Sequence, residues 1–154
     1  MTNDALLDVG IETAYMQALK SFNEGGVPVG SALMIGAAII SVGHNQRVQR
    51  QSNILHGEMD CIEKAGHAFD LTKSVLFTTL SPCLMCANAI LLFRIPRVVI
   101  LDAENTGDFI TSEQRLVSEG VDVLVHAHAP SIELNRRFQS DPARRSIWIG
   151  DVGR

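Results

Sequence analysis

The sequence predicts an α/β protein, a three-layer α/β/α sandwich around a central mixed, mostly parallel five-stranded sheet. Three observations lead there. Leu7, Ile11, Ala14, Ala18 and Phe22 recur at helical spacing near the N-terminus. Two short strand-like runs follow back to back in "VGSALMIGAAIISVGHN". From there helix and strand patterns alternate to the C-terminus, which implies parallel crossovers with helices on both faces. The chain has 154 residues, 46% of them hydrophobic, so a single domain over residues 1–154 with a substantial core is expected.

The elements follow in order. Gly25 and Gly26 stop the first helix, and the two strands turn near Gly36. The polar loop "QRVQRQSN", of which "RVQRQ" (Arg47 to Gln51) reads as solvated, leads to a helix that carries His56 and Glu58 and stops at Gly66. "KSVLFTTL" is a strand, and "PCLMCANAILLF" a helix with Pro82 at its start, where a missing N–H does no harm. "PRVVILD" is a strand, then "TSEQRLVSEG" a helix with Thr111 or Ser112 as cap and Gly120 as stop. "VDVLVHA" closes the sheet and "SIELNRRFQS" is the last helix.

Composition narrows the function. No apolar run reaches the roughly 18 residues of a membrane span, and "MTNDALLDVG" lacks the basic-then-apolar pattern of a secretory signal. A net charge of −4 with 5% aromatic residues favours a small-molecule partner over nucleic acid, which usually calls for a basic face. Three cysteines, Cys61, Cys83 and Cys86, are an odd set for a disulfide scaffold and suit a reducing cytoplasm.

Cys83 and Cys86 open a helix after a strand. Their i, i+3 spacing puts both sulfurs on one side of the first turn, where free N–H groups favour thiolates. A dithiol redox pair and a metal clamp both fit. His56 discriminates, because the strand order brings its helix N-terminus to the same sheet edge. One imidazole and two thiolates suit a catalytic zinc, one per chain, with a fourth position left for water. Glu58 then stands beside that water, placed to take its proton and hand it on. Cys61 reads as core. His44, His67, His126 and His128 have no ligand spacing to the cysteines and read as surface or supporting residues. H-x-E followed by P-C-x-x-C is the pattern of zinc nucleobase deaminases.

On "EGGVPVG", "GHN", "HGE", "TTLSPCLMC", "IPRVV" and "WIGDVG", the chain resembles the cytidine and deoxycytidylate deaminase superfamily over nearly its whole length, and within it the fungal-type cytosine deaminases. The resemblance implies that His56, Cys83 and Cys86 bind zinc and that Glu58 shuttles protons. It implies substrate contacts from Asn45 to the ring edge, from the Gly57 N–H to the ring carbonyl, from Ser81 and Asp151 to the exocyclic amine, and a pocket wall at Trp148. It further implies a homodimer, a role in pyrimidine salvage and a C-terminal lid near residues 146–154. The chain departs from the family pattern at Ile149 and Gly150, in the loop over residues 102–114, and at Phe109, whose place as a base-stacking aromatic is open. These departures bear on the substrate rather than on zinc.

Hydrolysis of a free base, cytosine to uracil and ammonia, is the leading expectation. The alternatives are a guanine or other purine or pterin analogue, or tRNA adenosine, for which Arg136, Arg137, Arg144 and Arg145 would contact phosphates. A thioredoxin-like dithiol protein leaves His56 and Glu58 without purpose, and a structural zinc domain would want a fourth protein ligand.

Overall fold

The computed structural model describes residues 2–106 and 110–152; Phe109 lies outside them. Helix α1 (Asn3–Asn23) begins at Thr2, whose hydroxyl accepts the Ala5 N–H, and ends before Gly25 at φ +86°. Strands β1 (Gly30–Ile35) and β2 (Ala38–His44) form the expected hairpin, with Gly36 at φ +59° in the turn. Helix α2 (Gly57–Ala65) stops at Gly66, φ +58°. A 3-10 turn (Leu71–Lys73), not anticipated from the sequence, precedes β3 (Ser74–Thr78).

Helix α3 (Leu84–Leu92) is capped by Cys83, so Pro82 sits one residue before the cap rather than inside the first turn. After β4 (Arg97–Ile100), α4 (Ile110–Ser118) is already helical at Ile110, so Thr111 and Ser112 lie within it instead of capping it. Strand β5 (Asp122–Val125) and helix α5 (Ala129–Ser140) complete the expected elements. The tail over residues 146–154 contributes a further helix, α6 (Arg145–Val152).

The sheet order is β2-β1-β3-β4-β5. Strand β1 pairs antiparallel with β2 and β3, and the β3–β4 and β4–β5 ladders are parallel. Four strands therefore run one way and β1 alone opposes them, the mixed and mostly parallel sheet that the element order predicts.

Alternation along the strands divides the core. Leu33, Leu76, Val98 and Ile100 face one side and pack with Cys61, Ile62, Ile90 and Leu116 of α2, α3 and α4. Ala32, Met34, Phe77, Val99 and Leu101 face the other and pack with Ile11 and Ala14 of α1. A third cluster joins Val27, Val29, Leu80, Phe138 and Trp148 at the edge where α6 folds back.

Two glycines set how closely the helices approach. A Cβ on Gly30 would lie 2.3 Å from Ala14 O and Ala18 N of α1. One on Gly43 would lie 2.3 Å from Cys61 N of α2. These contacts are backbone against backbone, so neither neighbour can swing away. The first fixes α1 against the hairpin; the second fixes α2, and the site at its start.

Candidate metal centre and active site

β2 and β3 point the same way, so the helices that follow them start at the same sheet edge. His56 caps α2 at φ −64°, ψ 164°, and Cys83 caps α3 at φ −71°, ψ 175°. Neither side chain caps its own helix. Both are free to turn toward each other, beside N–H groups that intrahelical bonding leaves unused.

His56 Nδ1 lies 3.4 Å from Cys83 Sγ and 3.8 Å from Cys86 Sγ. Among the described residues these three form the one His/Cys/Asp/Glu group whose donor atoms all lie within 4.8 Å of one another. Tetrahedral zinc, with Zn–N near 2.0 Å and Zn–S near 2.3 Å, wants nitrogen and sulfur donors about 3.5 Å apart. The donor set fits one such ion. Cys61 is not part of the group: it packs in the core with Leu33 and Ile62.

The charges are coupled. A hydrogen bond from Cys86 holds the Cys83 thiol down at about 4, against the pull of burial and with help from His56. Cys86 goes well above its ordinary value because the Cys83 sulfur accepts its proton and because it is buried. Burial works against a charge on His56, but Cys83, Asp151 and Glu58 outweigh it and push the imidazole up to about 9.

Glu58 is buried at the second position of α2. Its Oε1 accepts the Thr78 hydroxyl at 2.9 Å, with the Ser31 hydroxyl at 3.5 Å. Burial, then the Cys83 thiolate, raises its carboxyl above the ordinary range. Ser31 and Thr78 are cross-strand partners on β1 and β3. Sequence reading missed both; two hydroxyls facing α2 in largely apolar strands were the available signal.

The structure brings Asn45, His56, Glu58, Ser81, Cys83 and Asp151 to one cavity, together with Val29 and Leu80. Asn45 is fully buried; its oxygen accepts the Arg47 N–H at 3.0 Å and its amide donates to Asp151 Oδ1 at 2.9 Å. Asp151 Oδ1 also lies 3.4 Å from His56 Nε2 and 3.2 Å from Arg47 Nη1. The Ser81 hydroxyl donates to Glu113 of α4, another residue the motifs did not flag. Gly57 begins α2, and a Cβ there would stand 2.9 Å from Val29 O.

Trp148 does not line this cavity. It packs behind it with Val29 and Leu80, its ring centroid 6.1 Å from that of Phe138, and borders an outer cleft with Asn105, Arg145 and Ile149.

The loop after Asn45 is less solvated than its composition suggests. Arg47 turns inward to α6, and Gln49 donates to the buried Ser21 hydroxyl at 3.0 Å. Nor is His44 a surface residue: it is buried, its Nε2 2.8 Å from Glu24 Oε1. The reason is tertiary, since α1 and α6 fold over this loop from opposite ends of the chain.

Fold and donor set together define a zinc-binding deaminase domain, and the comparisons agree. The chain belongs to the cytidine and deoxycytidylate deaminase family, whose zinc-binding region matches residues 7–102. A cytosine deaminase of Candida albicans is 39% identical over 147 residues, 94% of this chain and 95% of that protein. A tRNA-specific adenosine deaminase of Bacillus subtilis is 39% identical over 102 residues, 64% of this chain and 62% of that protein. A solved structure from a study of A-to-I editing by tRNA deaminases at the wobble position superposes with TM-score 0.68 at 27% identity, covering 77% of this chain and 98% of that one. A protein solved with 2,6-diaminopurine gives TM-score 0.76 at 16% identity over 92% of both chains, a likeness of fold alone.

Proposed function

We propose that this deaminase acts on a free nucleobase and converts cytosine to uracil and ammonia, a step suited to pyrimidine salvage in the cytoplasm. The observation that carries the reading is the closure of the cavity by α6, with Asp151 turned in against Asn45 and His56. A wall this close to the ring leaves little room for a ribose or an RNA strand. The match to the Candida cytosine deaminase supports it, because it spans 95% of that protein.

His56, Cys83 and Cys86 would hold the metal, and when bound zinc supplies a Lewis acid that makes water acidic near neutral pH. Glu58 moves the protons. Thr78 and Ser31 occupy Oε1, so Oε2 is the oxygen that takes a first proton from water and gives it to the ring nitrogen, then takes the second from the hydroxyl added to the ring carbon and gives it to the departing amine. The second Asn45 N–H and the Gly57 N–H orient the ring. Ser81 and Asp151 meet the amine, and Trp148 stiffens the wall from behind.

The arginines proposed as phosphate contacts are largely engaged within the chain. Arg136 pairs with Glu104 and Glu133, and Arg144 with Asp141. Arg137 and Arg144 lie over the Phe22 ring at 5.1 and 5.3 Å.

The same reading includes a homodimer. Leu84, Leu92 and neighbouring Phe93 are exposed at the two ends of α3, with Asn88 between them, a face that a second copy would cover.

Ammonia release from cytosine, cytidine, guanine and an adenosine-containing tRNA stem-loop tests the substrate. Cytosine is expected to turn over fastest. Equal turnover of cytidine refutes the sealed pocket, and turnover of the stem-loop alone moves the activity to tRNA.

A further inference from the structure

We propose that Arg47 is a positioning residue that latches α6 over the site. It ties the C-terminal helix to the loop carrying Asn45 and so governs how the base enters and the product leaves. The inference rests on the reading that the cavity takes a small base.

Arg47 lies between β2 and α2, and its backbone N–H donates to Asn45 Oδ1 at 3.0 Å. Its Nη1 donates to Asp151 Oδ1 at 3.2 Å and to the Ile147 carbonyl at 3.4 Å, one turn earlier in α6. The same carboxylate oxygen accepts from Asn45 Nδ2 at 2.9 Å and faces His56 Nε2 at 3.4 Å. Two donors, Asn45 and Arg47, thus converge on one oxygen of the lid with the His56 ring beside them, and Arg47 is the member whose charge does not depend on pH or metal.

The pair is largely removed from water, with side-chain exposures of 23% for Arg47 and 5% for Asp151. Removing the arginine would take from the carboxylate the one cationic partner that does not belong to the metal ligands. Gly150 fits the same picture. A Cβ there would come within 3.3 Å of Arg47 Nη2, so the missing side chain lets the guanidinium lie along the helix.

The cavity makes the latch matter. Its volume is about 10 Å³, room for about one water, so a nucleobase enters only if a wall moves. Val29, Glu58, Leu80 and Cys83 lie on or beside the sheet and the helices packed on it. Asp151 lies on α6, which is held by the packing of Trp148 on Phe138 and by polar ties to Asn45 and Arg47. Of the four side chains in these ties, Arg47 is the one that grips two points of α6 without lining the cavity.

Hydrogen–deuterium exchange on the full-length, zinc-loaded chain tests this, with Arg47→Ala and Arg47→Lys beside the wild type. Amides of α6 are expected to exchange about tenfold faster in Arg47→Ala, with α2 and α3 unchanged and one zinc retained. Arg47→Lys keeps the charge but not the fork and should fall between. For whichever base the wild type deaminates, Arg47→Ala should raise KM about tenfold, a loss in keeping with a charged hydrogen bond, and change kcat less. An α6 exchange rate within threefold of wild type overturns the latch, as does equal loss of protection across α2, α3 and α6. A wild type that releases ammonia from no base sinks the substrate reading and leaves the exchange result to decide the latch by itself.

Discussion

His56 shows how one residue links backbone to chemistry. Its extended φ and ψ end the loop and begin α2, its carbonyl accepts the Asp60 N–H at 2.9 Å, and its ring is left free to meet two sulfurs. Glu58, two residues on, is held by hydroxyls from two strands. Holding a metal and moving a proton should therefore separate by mutation. His56→Ala and Cys86→Ala are expected to lose zinc and activity together. Glu58→Gln should keep one zinc per chain and its fold while losing about 10²–10⁴ in turnover. Full zinc content in Cys86→Ala, or Glu58→Gln within tenfold of wild type, would remove the respective assignment.

The cysteines make a second prediction. Burial pushes the Cys61 thiol up to about 12, so it stays protonated over the working range. Cys83 is held at about 4, so after chelation its thiolate is present at neutral pH and lost only as pH falls through about 4. Alkylation of the chelated, folded protein at pH 7 should mark Cys83 first and spare Cys61, and the Cys83 rate should be nearly flat from about pH 5 upward. Peptide mapping by mass spectrometry reads this, and early labelling of Cys61 would contradict the buried core.

At the scale of elements, the site depends on how closely α2 lies on β2. Gly43 permits that approach, since a Cβ would meet the Cys61 N at 2.3 Å. Gly43→Ala should cost about 1–3 kcal/mol through forced separation of helix and strand. In a chain of this size that lowers the melting temperature by about 2–4 °C per kcal/mol. Because α2 carries His56, zinc affinity should fall with it. Thermal unfolding and a zinc competition assay check both, and unchanged values would show that the hairpin yields without cost. The 3-10 turn before β3 has a local cause that the strand pattern concealed: Asp70 accepts the Thr72 N–H and hydroxyl and turns the chain just before it enters the sheet.

At the scale of the molecule, two apolar cores sandwich the sheet while α3 leaves two leucines uncovered, Leu84 57% and Leu92 73% exposed. Single exposed leucines are ordinary. Two on one helical face beside Phe93 are what a second copy would bury. Leu84→Glu with Leu92→Glu should leave the chain folded and zinc-loaded but monomeric by light scattering. A wild type that is already monomeric at assay concentration refutes the assembly.

Local pattern determined much of this protein. Period-2 and period-3.6 spacing, the glycine stops after α1, α2 and α4, and the H-x-E and P-C-x-x-C pairs each depend on residues a few positions apart, so the fold class, the donor set and the place of Glu58 beside it were legible in the sequence. The family resemblance named Asn45, Ser81 and Asp151 for the site, but local pattern did not hold the contacts between them, which run over long separations. Asn45 meets Asp151 across 106 positions and Arg47 meets it across 104. Thr78 reaches Glu58 across 20 positions and Ser81 reaches Glu113 across 32. No periodicity marks such pairs, because each residue reads locally as an ordinary polar loop, strand end or tail. Whether they stay solvated or close a site was decided only when α6 packed back on Phe138, and the clustering of Trp148 with Val29 and Leu80 supplies the apolar contact that brings Asp151 over the metal ligands.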